Sequence, residues 1–293
     1  MHTEPTQGAA GRPFPISPWY WLRLAATGTC IVCLYWSVVA DMVHDWWTYP
    51  SLSHGLLIPP LAMYIAWLRR HLTFAIPAAS DLRGAALSAF ALLVYVGGKL
   101  GAEFFLQRLS LVILIAGLVW TFWGLARLRT LGFPLVLLAT MIPLPTLVYQ
   151  SLTGPLQLFA SRTATFVAQT VGVTVYREGN IIHLSNTSLG VEEAFSGLNS
   201  LSALMIASLL LGFLLCARMP ARIALFLISL PLAIAVNVLR VAGTAVLADV
   251  HEEYASGFYH SFSGWLVFVV SFGVLFGIAK TLDRFVRPAE ARA

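Results

Sequence analysis

Charge is what this chain has least of. Only 11% of its 293 residues are Asp, Glu, Lys or Arg, while 58% are apolar, and the mean hydropathy is +0.80. A soluble domain carries about a quarter charged residues. So few charges cannot cover a folded globule, which excludes a soluble enzyme and a disordered chain. Cysteine is scarce as well: Cys30, Cys33 and Cys216 are the three, too few for a secreted disulfide scaffold. Cys30-x-x-Cys33 has the spacing of half a zinc knuckle, but both lie in an apolar helical run with no second ligand pair. They read as small packing residues one turn apart, and the sequence calls for no metal and no cofactor. Strict apolar–polar alternation is missing too, which disfavours a membrane β-barrel.

What is there is a series of unbroken apolar runs. A bilayer core of about 30 Å needs about 20 apolar residues in a helix. Eight stretches meet or approach this, near residues 20–40, 54–68, 84–98, 109–126, 132–149, 197–216, 222–248 and 261–282. The expected fold is therefore all-α: a polytopic membrane helical bundle of about eight transmembrane helices, forming a single membrane domain over 1–293. The first run is too long for a signal-peptide core and reads as a retained anchor. Ile142-Pro143-Leu144-Pro145 predicts that the fifth run ends, kinks or re-enters there.

Lys and Arg orient the bundle. With both termini cytoplasmic, thirteen of the eighteen basic residues fall inside, four fall outside, and Arg240 lies within a span. The positive-inside rule then favours eight spans with both ends in the cytoplasm. The +5 net charge is thus a membrane-facing asymmetry and predicts no nucleic-acid partner; lipids are the expected surroundings. The one long connection, 150–196, falls on the outer face. Leu156 to Val173 reads as an interfacial helix. Val173 to Leu184 reads as a hairpin around a Gly179-Asn180 turn, followed by a further turn at Ser185–Ser188. Long ordered connections tend to be functional.

Against this background a few polar residues stand out. Arg240 costs roughly 2.5–3.5 kcal/mol in a membrane span on insertion scales. It lies about 13 Å below the outer boundary at 1.5 Å per residue, and Asn237, Arg240 and Thr244 share a face. The plain alternative is a snorkelling or structurally paired arginine. Glu193 and Ser196 stand at the outer entry of the sixth span and His260 at that of the eighth. The topology brings Glu193, Ser196, Arg240 and His260 to one leaflet. A histidine to move protons and an arginine to stabilise an oxyanion suit acyl transfer. His54, in Ser51-Leu52-Ser53-His54-Gly55, is a weaker candidate for lining the same cavity.

These blocks carry a family resemblance. Tyr49 to Pro59 with Trp67-Leu68-Arg69-Arg70, Phe133 to Pro145, Arg177 to Ile182, Glu193-Ala194-x-Ser196-Gly197, Asn237 to Val241 and His260 to Trp265 occur in that order. Together they resemble the exosortase/archaeosortase family of integral membrane proteins over nearly the whole chain. The resemblance implies a transpeptidase, a cysteine-type protease in the hydrolase class, in a bacterial inner membrane. It implies partners as well: secreted proteins bearing a C-terminal sorting signal of the PEP-CTERM type, often alongside exopolysaccharide production. It implies Arg240 and His260 as catalytic residues, with Glu193, Asn237 and His54 toward the substrate.

The family nucleophile is a cysteine in Glu-Ala-Cys-Ser-Gly, and here that position is Phe195. Phenylalanine has no lone pair and cannot form an acyl-enzyme. Cys30, Cys33 and Cys216 lie far from the site on the predicted topology. Three readings remain: Ser196 as a substitute nucleophile activated by His260, a binding protein without activity, or a substitution in an otherwise ordinary member. Outside the sorting readings stand a small transporter using Arg240 and His54, disfavoured by the lack of an internal repeat, and a structural subunit of an exopolysaccharide export assembly.

Overall fold

The computed structural model describes residues 18–185, 187–191, 198–251 and 257–286, with side chains for most of these. The chain divides into two compact units, residues 1–42 and 43–293. Helix α1 (Pro18–Thr48) crosses the boundary between them. Cys30 and Cys33, read as packing residues, are exposed on its first part.

The second unit is helical with one small sheet. A 3₁₀ turn (Pro50–Leu56) leads into α2 (Ile58–Leu68) and the short α3 (Arg70–Ala75). Two long helices, α4 (Leu82–Leu100) and α5 (Phe104–Trp123), form a hairpin, followed by α6 (Leu125–Thr130) and α7 (Gly132–Ala139). Then come α8 (Thr146–Thr170), strands β1 (Tyr176–Glu178), β2 (Ile181–His183) and β3 (Ser188–Gly190), and helices α9 (Leu198–Leu215), α10 (Met219–Val250) and α11 (Gly257–Val286).

Among the described residues, six helical stretches are long and apolar enough to cross a membrane: Ala25–Thr48, Pro50–Leu68, Leu82–Leu100, Phe104–Trp123, Met219–Val250 and Phe262–Arg284. These correspond to six of the eight predicted runs. The sixth run is α9, whose 18 residues reach about 27 Å at 1.5 Å per residue. The fifth breaks around Ile142-Pro143-Leu144-Pro145, as the sequence predicts: α7 stops at Ala139 after about 12 Å, and a new helix starts at Thr146. Pro143 and Pro145 each lack an N–H donor, so the ladder cannot continue through them.

The helix read as interfacial begins ten residues earlier than expected and packs on α10. Its buried stripe of Ala160, Ala164 and Ala168 joins Val238, Val241, Ala242 and Ala245 of α10 in one apolar cluster. Small residues let the two backbones approach. The hairpin forms as predicted, with Glu178 opposite Ile181 and Gly179 at φ +61° in the turn. The Ser185–Ser188 turn leads to a third strand that the sequence reading did not include, pairing Ile182 with Leu189. Ile182, Leu184, Leu189 and Val191 seat this sheet in the same α8–α10 cluster.

The contacts define two ends. At one, Arg69 Nη1 donates to the Thr130 carbonyl (3.0 Å), Arg127 Nε donates to the Ile76 carbonyl (2.9 Å), and Phe133 stacks on Phe213. At the other, Trp46 Nε1 donates to the Met141 carbonyl (3.2 Å), and Arg108 pairs with Asp45 (2.5 Å).

Candidate functional site

Arg240 sits on α10, the most apolar of the long spans, ten residues before its end at Val250. A Cβ built on Gly264 of α11 would lie 3.5 Å from Arg240 Nη1. The guanidinium therefore rests against α11 where that helix presents no side chain. His260 precedes Gly264 by four residues, so it occupies the same face of α11 one turn nearer the helix N-terminus. The backbone thus places the two expected catalytic positions, Arg240 and His260, together at one end of the α10–α11 pair. The side chain of His260 lies outside the described residues.

The polar stripe on α10 divides. Asn237 is 3% exposed and lines a small cavity with Leu156 and Ala160 of α8 and Leu201 of α9. Thr244 Oγ1 donates back to the Arg240 carbonyl (2.9 Å), so its hydroxyl is satisfied by its own helix. Arg240 faces α11, and Asn237 faces α8 and α9.

Glu193, Phe195 and Ser196 lie outside the described residues. The chain on both sides of them is placed. Val191 is fully buried in the α8–α10 cluster. Its N–H donates to the Asn180 carbonyl (2.8 Å), and the Asn180 side-chain Nδ2 donates to the Val191 carbonyl (3.3 Å). Asn180 thus grips Val191 from both sides, immediately before the block that carries position 195. The sequence reading quoted Asn180 only as a turn residue. The signal available was an amide side chain directly after the glycine of a tight turn.

His54 belongs to a different neighbourhood. It is half-buried in the 3₁₀ turn, and its ring hydrogen-bonds the Ser51 backbone. The next residue, Gly55, is pressed on Trp46: an added Cβ would meet the indole Nε1 at 2.2 Å. Since that indole donates to Met141, the motif around His54 is fastened to the segment before Ile142-Pro143. Two of the sequence blocks are thereby joined to each other through Trp46, which gives them a structural role.

Cys216 is 2% exposed, and its thiol points to the Ala279 carbonyl (3.8 Å). Burial pushes the thiol above its ordinary range; nearby Asp283 adds to this and Arg222 opposes it. A thiol held protonated in a packed core is a poor nucleophile. Among the described residues no three His, Cys, Asp or Glu side chains are grouped to hold a metal.

A bundle of apolar helices with one arginine turned onto a neighbouring span near its end defines a polytopic membrane protein with an intramembrane polar site. The transmembrane exosortase (Exosortase_EpsH) family matches residues 46–277, and the chain belongs to that family. Neither the curated proteins nor the solved structures yield a match.

Proposed function

We propose that this exosortase-family protein recognises C-terminal sorting helices of the PEP-CTERM type at the end of the bundle where Arg240 and the His260 position meet. The observation that carries the reading is the seating of the Arg240 guanidinium against Gly264, one turn from His260 on the same helix face. Placed there, the guanidinium stands beside the path of a peptide carbonyl entering between the helices.

In a member with a thiolate at position 195, that sulfur attacks the scissile carbonyl. Arg240 stabilises the oxyanion, and His260 protonates the departing amine. Phe195 supplies no electron pair, so in this chain the first step has no nucleophile at that position. The function assigned is binding of the sorting helix on a scaffold competent for acyl transfer. The arginine-rich end faces the cytoplasm and the Arg240 end faces outward, in a bacterial inner membrane. The support is the gathering of Arg69, Arg127 and Arg222 at the opposite end of the described unit.

The test is a photo-crosslinkable sorting helix presented to the full chain in membranes, beside Phe195→Cys. Crosslinking near Arg240 in the wild type, with cleavage only in Phe195→Cys, is the expected result. A labelled adduct on Ser196 would replace this reading with a serine enzyme. No crosslink in either protein would overturn the sorting reading.

A further inference from the structure

At the end of the unit remote from Arg240, a cleft of about 460 Å³ opens between α2, α6, α7, α9 and α10. Three arginines line it: Arg69, Arg129 and Arg222. No carboxylate lines it among the described residues. Asp283 of α11 accepts the Ala217 N–H (3.1 Å).

The arginines are held in place. Arg69 and Arg222 flank one aromatic ring, with Cζ 4.7 Å and 5.6 Å from the Phe213 centroid. Phe213 is itself fixed by stacking on Phe133, with centroids 3.9 Å apart and planes within 6°. One N–H of each is anchored to a carbonyl: Arg69 to Thr130 (3.0 Å), Arg222 to Cys216 (2.9 Å). A guanidinium carries five donors, so this anchoring leaves most of them over. Arg129 is exposed at the mouth. Positive charges gathered in a cleft that no carboxylate lines among the described residues repel one another, and a bound anion relieves that repulsion.

The remaining wall is apolar and open to the bundle surface. Val136 and Ile223 are each 53% exposed and Met219 is 62% exposed. A basic mouth beside an exposed apolar wall fits an ion that carries hydrocarbon. A guanidinium fork matches phosphate oxygens in pairs, and basic pockets between membrane helices are suited to phospholipid head groups.

We infer that this cleft is a binding site for an anionic glycerophospholipid, its phosphate held by Arg69, Arg129 and Arg222 and an acyl chain lying along Val136, Met219 and Ile223. This inference does not rest on the sorting reading. It concerns the opposite end of the molecule and stands if the sorting helix is never bound.

The test uses the full chain purified in a neutral detergent. Phosphatidylglycerol, phosphatidylcholine and inorganic phosphate are the three probes, with retained lipid read by native mass spectrometry and stability by the thermal midpoint. Phosphatidylglycerol should be retained about tenfold over phosphatidylcholine and should raise the midpoint, while inorganic phosphate at the same concentration should not. Each arginine removed should weaken retention about fivefold, on the scale of roughly 1 kcal/mol per basic residue at a charged lipid surface. The double variant R129Q/R222Q is the main comparison. If it does not fold, Arg129→Gln alone suffices, because that exposed side chain makes no hydrogen bond among the described residues. Arg218→Gln removes a neighbouring charge outside the cleft and should leave retention unchanged. Equal retention of the two lipids overturns the inference. So does protection by inorganic phosphate equal to that by lipid, or an equal loss in Arg218→Gln.

Discussion

Adding one methyl group at Gly84 tests how α4 and α5 are held together. A Cβ there would stand 2.3 Å from the Thr121 backbone nitrogen and 2.8 Å from the Gly117 carbonyl oxygen. The opposing glycine is as tight: a Cβ on Gly117 would meet Ser88 N at 2.7 Å and Ser88 Cα at 3.0 Å. Both helices therefore present a small residue four positions apart, Gly84 and Ser88 against Gly117 and Thr121, the pattern that lets membrane helices touch backbone to backbone. Two of the three nearest atoms at each glycine belong to main chain and cannot swing aside; the third is a hydroxyl, of Thr121 or of Ser88. Gly84→Ala must push the helices apart by about 1 Å, and overpacking of this kind costs about 1–3 kcal/mol. The same substitution gains up to about 1 kcal/mol of helix propensity, so the expected net loss is about 1–2 kcal/mol. Gly97→Ala on the same helix has nothing within 4 Å of the new Cβ and should show only the gain, about 0.5–1 kcal/mol. Unfolding in mixed dodecyl maltoside and dodecyl sulfate micelles, followed by tryptophan fluorescence, measures both. If the two variants move the midpoint in the same direction by similar amounts, the backbone-contact account of this hairpin is wrong.

Four further outcomes follow from other parts of the structure. Asp45→Asn should destabilise by about 3 kcal/mol, because it strands Arg108, whose side chain is 8% exposed; the value sits at the low end for breaking a buried pair since Asp45 is itself 25% exposed. Replacing both by leucine should restore most of that stability in the same unfolding assay. Asn180→Ala removes the amide that grips Val191 and should cost about 1 kcal/mol, together with faster proteolysis within 192–197; unchanged proteolysis would show that the backbone bond alone secures the strap. The Asp81 carboxylate accepts the Arg83 N–H (2.9 Å) and the Trp120 indole N–H (2.9 Å), and these bonds hold its pKa below the ordinary carboxylate value. Its contribution is thus present above the unfolded carboxyl pKa and lost as pH falls through the folded one. The thermal midpoint of the wild type should exceed that of Asp81→Ala at pH 7 and converge with it below about pH 4. Gly264→Leu should displace the Arg240 guanidinium and abolish crosslinking of a sorting helix near α10, whereas Gly264→Ala, at an ordinary contact distance of 3.5 Å, should retain it.

The long spans were legible because an unbroken apolar run has few other structures open to it. The break in the fifth run was legible as well, because Pro143 and Pro145, four and six residues past the end of α7, remove ladder donors. The sheet's third strand was hidden: Ser185 to Ser188 has turn chemistry, and nothing local says whether a turn ends a hairpin or continues it. The Gly84–Ser88 and Gly117–Thr121 spacing was readable in principle, but small residues draw no notice in a hydropathy scan. At the site, Arg240 was conspicuous because its charge is anomalous where it stands. Its partner Gly264 was not, since a glycine's role is defined by what lies opposite it. Asp45 and Arg108 stand 63 residues apart, a separation that concealed that they form one pair.

Phe195 takes the nucleophile's position, while the grip of Asn180 on Val191, the seating of the sheet on α8 and α10, and the placement of Arg240 on α11 are made by other residues. On the proposed reading these are the features that receive the peptide. On the proposed reading, binding energy that Arg240 offers to a ground-state carbonyl survives without the thiol; only the part realised as the oxyanion forms is forfeited. On that argument Phe195→Cys adds a reaction to an existing binding site, and its effect should appear in turnover while the affinity for the sorting helix stays nearly constant.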